Sequence, residues 1–242
     1  MESKIEYLEW DSDFFGIKIG RLIINDEKDF DPIIFKKEVK KNNFNLVYVF
    51  KLDKMLPWDK TLNSDLKLVD IQPTMSMKFN SSSYKGLQYD LKNHLTQKEI
   101  FESYEIAEET AVVSRFYNES LIGYNKTKAL YRKWVDNTLN RSFSDGLFLE
   151  RESGVITGLH IIKTDIINKI GFFTLTGVNS NYKRQGIGRK LWSQSFGYWA
   201  NESNVEIIKS PLSFQNSESL NFHLKMGFNK IEEIKYIYHY SS

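Results

Sequence analysis

The chain has 242 residues, with 33 basic against 31 acidic side chains, 4 prolines, 14% aromatic residues and no cysteine. Near-balanced charge argues against a broad nucleic-acid or membrane surface, and the absence of cysteine excludes disulfides, thiolate metal sites and a cysteine nucleophile. The composition is that of a globular chain, the charged opening MESKIEYLEWDSDFF is unlike a secretory leader, and no apolar run approaches the ~20 residues that span a bilayer, so a cytoplasmic protein is expected.

In chain order, LEWDSDFFGIKIGRLII (8–24) reads as a turn-rich segment running into a strand, with Gly20 permitting a bulge. Asp11, Ser12 and Asp13 suit a capped turn whose Phe14 and Phe15 plug the core. A helix is expected over 29–41 and a strand over NLVYVFKL (45–52). A further strand over LKLVDIQPTMSMKF (66–79) is expected to be interrupted at Pro73. Ser81, Ser82 and Ser83 end that pattern. The expected division is a smaller N-terminal α/β domain over 1–80, a connector over 81–98 and a second domain over 99–242. Residues 99–140 read as helical. GLFLERE (146–152), VITGLHIIKT (155–164) and KIGFFTLTGV (169–178) read as a strand meander, joined by Ser153-Gly154 and by a loop near Asn168.

The strand-like run ending at Val178 feeds YKRQGIGRKL (182–191), a short cationic loop with two glycines opening an amphipathic helix. Ile187, Leu191, Trp192, Phe196, Tyr198 and Trp199 fall on one half of that helix, with Arg189, Lys190, Ser193 and Gln194 on the other. A helix's first turn offers free N–H groups, and Gly186 and Gly188 allow a multiply charged anion to approach them. Lys183, Arg184, Arg189 and Lys190 add charge that complements phosphates. The spacing is not that of a Walker loop, because no Lys followed by Ser or Thr stands at Walker spacing after the glycines, nor of a Rossmann fingerprint, which wants a glycine at Leu191. Taken alone, the loop also fits a basic surface turn before a core helix.

Downstream, VEIIKS (205–210) reads as a strand. Asn216 or Ser217 caps a helix with a Leu220/Leu224 stripe that Gly227 terminates, and KIEEIKYIYHY (230–240) closes the chain as a strand. His223 lies at the edge of the apolar stripe, which fits a half-buried histidine satisfied by a carbonyl as well as a proton carrier acting as acid or base. His160, Glu150 and Asp165, on or beside the central strands, are secondary base candidates with structural readings beside them.

Strand, KRQGIG, helix, VEIIKS strand and N-x6-H-x3-GF together resemble motifs A and B of the GNAT acyl-CoA N-acyltransferases, over roughly residues 100–242. The resemblance implies an α/β fold with a mixed, mostly antiparallel sheet, flanking helices and a splayed pair of strands, the first ending at 178 and the second starting at 205. It implies acyl-CoA, acetyl or longer, as co-substrate, with no metal. The implied coenzyme-binding residues are Leu175, Thr176, Gly177, Val178, Lys183, Arg184, Gln185, Gly186, Ile187, Gly188, Arg189 and Asn216. The Val178 amide would face the thioester oxygen. Two departures stand out: Lys183 replaces the usual Arg or Gln, and His223 occupies a position where many members carry a catalytic Tyr.

WDSDFFG (10–16) further resembles the WecD-like branch, whose members acylate nucleotide-linked amino sugars. The implied acceptor is a dTDP-linked amino-dideoxyhexose destined for a bacterial surface polysaccharide, held by Arg115, Phe116, Tyr131, Arg132, Trp134 and His160. Alternatives are another amine, such as a peptide N-terminus or an aminoglycoside, or a non-catalytic acyl-CoA sensor. Nucleic-acid and membrane partners are not expected, and a homodimer stays open.

Overall fold

A computed structural model describes residues 4–142 and 144–242. Among these residues nine strands form one sheet: β1 (Glu6–Tyr7), β2 (Ile19–Ile24), β3 (Leu46–Leu52), β4 (Lys67–Lys78), β5 (Gly146–Glu152), β6 (Val155–Asp165), β7 (Ile170–Val178), β8 (Ile207–Pro211) and β9 (Lys230–Ser241). Their spatial order is β1-β2-β3-β9-β4-β8-β7-β6-β5. Only β2/β3 and β7/β8 pair in parallel. The last strand therefore lies between β3 and β4, and the strands of residues 1–80 share one hydrogen-bonded sheet with those of 99–242.

Among the described residues seven α-helices flank the sheet: α1 (Glu9–Phe15), α2 (Pro32–Lys41), α3 (Trp58–Asn63), α4 (Gln97–Thr110), α5 (Gly123–Leu139), α6 (Ile187–Glu202) and α7 (Ser217–Lys225). Strand alternation sorts the cores. Leu46 and Tyr48 of β3 join a core with Phe15 of α1 and with Ile106, Phe116, Leu130 and Tyr131 around α4 and α5. Val47 and Val49 face the other way, onto Phe35 and Val39 of α2. Under α6 a third core gathers Phe173, Trp192, Phe196, Trp199 and Phe228.

Helix starts follow local chemistry. The Asp31 side chain accepts from the N–H groups of Ile33 and Ile34, with Pro32 in the first turn of α2. Thr96 and Glu99 form a reciprocal capping box at α4.

Several expectations are corrected. The turn-rich segment at 8–24 contains the helix α1, in which Ser12 Oγ donates to Leu8 O and accepts the Ile19 N–H. Gly20 makes no bulge; a Cβ there would lie 2.5 Å from Ile5 Cγ2, so the residue permits a close approach instead. β4 runs through Pro73, whose carbonyl accepts from Leu212 N–H just where β8 ends, so the missing N–H costs the ladder little. The 99–140 helical region is two helices parted by a short 3-10 turn and the Ser114–Ile122 connection.

Candidate active site

β7 and β8 pair only at Ile170/Ile207, Gly171/Ile208 and Phe172/Lys209. Beyond these, β8 stays with β4 while β7 stays with β6, and a gap opens along β7 from Phe173 to Val178. Asn179 N–H donates to Thr157 O at 2.9 Å, so the alternation of an antiparallel ladder turns the N–H groups of Thr176 and Val178 away from β6 and into the gap. Leu175, Thr176, Gly177 and Val178 thus line one free strand edge.

A 3-10 turn (Ser180–Tyr182) then leads into the loop before α6. Gly186 caps the helix in the left-handed region at φ +81°, a conformation that favours glycine. Among the described residues, the backbone N–H groups of 183–189 donate to nothing, and intrahelical bonding begins with Lys190 N–H to Gly186 O. Lys183, Arg184, Gln185 and Arg189 are exposed, whereas Ile187 is buried as the first anchor of α6. Arg184 reaches only the exposed Glu218, at 3.5 Å. Asn216 caps α7: its Oδ1 accepts from Ser219 N–H at 3.0 Å, leaving the side-chain NH2 free. The loop follows β7 and Asn216 follows β8, so both border the gap between the parted strands.

His223 does not open into it. The residue is 5% exposed, its ring packs against Trp192 and Phe228, and both nitrogens are engaged. Nδ1 lies 2.7 Å from the Ser219 carbonyl and so carries the proton, which leaves Nε2 to accept from Ser210 Oγ at 2.8 Å. Burial pushes its pKa below the ordinary imidazole value. In this arrangement both ring nitrogens are committed to neighbours rather than to the gap. The ring pins α7 to β8.

Arg115, Phe116 and Tyr131 come together on the opposite face of the sheet from α6, with Arg115 Cζ 4.1 Å from the Phe116 ring centroid. The Trp134 ring packs at a tilt against Tyr131, centroids 4.4 Å apart. Arg132 is drawn outward, paired with Glu108, which Lys128 also contacts at 3.0 Å. His160 belongs to the other face: wholly buried, its Nδ1 lies 2.9 Å from Thr176 Oγ1, and desolvation pulls its pKa to about 3. It is not an acceptor-site residue. Glu150 accepts from Gln194 of α6 at 2.8 Å, and half-buried Asp165 is held by Asn168 at a hairpin, so neither stands near the gap.

Sequence reading missed Tyr48, Asp70 and His239, which lie around Arg115, and Glu119, which binds His239. The available signal was a lone histidine in the otherwise apolar and aromatic stretch YIYHY, 236–240. Among the described residues no cluster of acidic and histidine side chains could hold a metal, and no helix is long and apolar enough to cross a membrane.

Comparison with known proteins bears on this geometry. A search of curated proteins finds no match. Among solved structures, a functionally unknown conserved protein from Staphylococcus epidermidis superposes with TM-score 0.66 at 11% identity, covering 100% of this chain and 92% of that one. A GCN5-related N-acetyltransferase from Sphaerobacter thermophilus gives TM-score 0.55 at 10% identity over 92% of this chain and 73% of its own. Another from Kribbella flavida gives 0.52 at 10% identity, covering 91% and 80%. Such identities speak for the fold alone. The acetyltransferase (GNAT) family model matches residues 83–228, more than half of the sequence and the span that contains both the splayed strands and the open loop. The chain belongs to the GNAT family of acetyltransferases.

Proposed function

We propose that the protein transfers an acyl group from acyl-CoA to a primary amine. The observation that carries this reading is the parting of β7 from β8 beside seven successive unbonded N–H groups, 183–189, at the start of α6. The loop amides and Lys183, Arg184 and Arg189 would hold the coenzyme's diphosphate. The free edge of Leu175–Val178 would pair with the pantetheine arm as an added strand, and the Asn216 NH2 would donate to one of its carbonyls. The Val178 N–H would then face the thioester oxygen.

The chemistry requires a neutral amine to attack the thioester carbon, with charge collecting on the oxygen beside Val178 N–H. As the C–S bond breaks, the nitrogen sheds one proton and the sulfur gains one. A free thiol has a pKa of about 8.5, so the leaving sulfur needs only a weak proton donor. His223, with both nitrogens committed, serves here as the strut that holds α7 against β8.

For the acceptor, a dTDP-linked amino-dideoxyhexose is the first candidate, supported by WDSDFFG and by the convergence of Arg115, Phe116 and Tyr131. Such a reaction draws on acyl-CoA and nucleotide sugars and so belongs in the cytoplasm. The test is to supply acetyl-CoA and longer acyl-CoAs with dTDP-amino sugars and simple amines, following free thiol and, separately, coenzyme binding by calorimetry. Turnover with an amine supports the reading. Absence of coenzyme binding overturns it.

A further inference from the structure

Acyl transfer moves a proton from nitrogen to sulfur, and both His223 nitrogens are committed elsewhere. Across the gap from β7 stands a hydroxyl held by a buried carboxylate. Beyond β8 the chain keeps to β4: Leu212 N–H donates to Pro73 O at 3.1 Å and Phe214 N–H to Ile71 O at 2.8 Å. Ser213, between them, therefore turns its own N–H away from β4 and toward the gap, and that N–H donates to nothing among the described residues. Leu212 is buried in the core under α6, so alternation sends the Ser213 side chain to the opposite face, the one that carries α4 and α5. Leu175 and Gly177 of β7 look out on that same face, since Leu175 packs in the α4/α5 core and a Cβ on Gly177 would lie 2.7 Å from Ile106 Cγ2.

Register sets the level. From the Phe172/Lys209 pair, four residues lead beyond β8 to Ser213 and five along β7 to Gly177, the extra one being Thr174 in a bulge of β7. Ser213 thus stands level with Gly177, one residue or about 3.3 Å along the strand from Val178. Its hydroxyl has one proton and two lone pairs. The proton goes to Asp70 Oδ1 at 2.6 Å, and one lone pair accepts the Gln215 N–H at 3.3 Å. What the oxygen keeps for the gap is a lone pair, backed by a carboxylate that is 5% exposed. Asp70 also forms part of the wall of a surface depression of about 190 Å³ between β4 and Phe214.

We infer that Ser213 is a catalytic residue of the acyl transfer and that Asp70 acts through it, as a positioning group that takes and returns its proton. The inference rests on the acyltransferase reading. As the amine nitrogen bonds to the thioester carbon, its proton passes to Ser213 Oγ while the Ser213 proton passes to Asp70 Oδ1. When the C–S bond breaks, the two transfers reverse in direction: Asp70 returns a proton to Ser213 Oγ, and the Ser213 proton moves on to sulfur. Nitrogen has lost one proton, sulfur has gained one, and both side chains are restored.

The test supplies acetyl-CoA with propylamine, benzylamine and glucosamine, with water as the fallback acceptor, and follows free thiol. Ser213→Val should lower kcat about a hundredfold on any amine that turns over, or in acetyl-CoA hydrolysis if none does, with acetyl-CoA affinity by calorimetry within about threefold. Ser213→Thr has the shape of valine plus a hydroxyl and should stay within about fivefold of wild type. Asp70→Asn should lower kcat about tenfold or more. Asp70→Ala joins the place of the carboxylate to the depression, so added formate should raise its kcat about threefold or more where chloride at equal concentration does not. A Ser213→Val rate equal to wild type, or a loss that Ser213→Thr shares, overturns the relay and leaves acyl transfer standing. Formate acting no better than chloride overturns the part assigned to Asp70. Failure to bind acetyl-CoA ends the acyltransferase reading, whereas binding without release of thiol to amine or water overturns the relay alone.

Discussion

Replacing His160 by leucine tests whether that histidine is a core residue or a base. Its imidazole is enclosed by Phe148, Phe173 and Trp192, and desolvation lowers its pKa from 6.5 to about 3, with the Leu175 carbonyl acting weakly in the opposite sense. In the unfolded chain it titrates near 6.5. As pH falls below that value the unfolded state takes up a proton that the folded state refuses, so stability is lost from about pH 6.5 downward until the folded group protonates near 3. At pH 5 the unfolded histidine is protonated about thirtyfold over neutral, which places this loss at about 2 kcal/mol. Urea unfolding at pH 7.5 and pH 5 reads it directly. Wild type should lose about 2 kcal/mol more than His160→Leu across that interval, whatever offset the variant shows at neutral pH. Parallel losses in the two proteins, or an imidazole resonance titrating near 6.5 in the native state, would refute the reasoning.

Gly186→Val places a β-branched residue at φ +81° and should weaken coenzyme binding on the order of a hundredfold by calorimetry, with the melting temperature less affected. His223→Ala leaves Ser210 Oγ without its partner and opens a cavity beside Trp192, so a loss of about 3 kcal/mol in denaturant unfolding is expected. Coenzyme affinity should nevertheless stay within tenfold at low temperature. Glu218→Gln removes the carboxylate beside Arg184 and should tighten CoA binding two- to threefold at low salt, an effect lost in high salt. Gly177→Val would drive a side chain toward Ile106 Cγ2, which a Cβ there already meets at 2.7 Å, costing about 1–3 kcal/mol and displacing α4 from β7.

What could be read in advance was local. GLFLERE matches β5 residue for residue, and the apolar run before GIG locates both the strand edge and the helix that follows. Asn216 as the cap of α7 was equally accessible, since capping is decided within three residues. The polar cluster around Arg115 was not, because Tyr48, Asp70 and His239 lie on strands whose adjacency depends on β9 passing between β3 and β4. Spacing within one helix drew attention to His223, whose fate is settled by a serine thirteen residues upstream on another strand. His160 looked like a strand histidine near a cleft, but alternation alone does not say which of two faces carries α6.

β9 joins partners that are very far apart in the chain, Val47 with Tyr240 and Leu68 with Tyr238. During synthesis, β3 and β4 emerge with bare edges that only a segment made almost two hundred residues after β3 can cover. Long-range pairing of this kind slows folding, and uncovered edges invite association with other chains. The nascent protein should therefore depend on chaperone shielding until that segment leaves the ribosome.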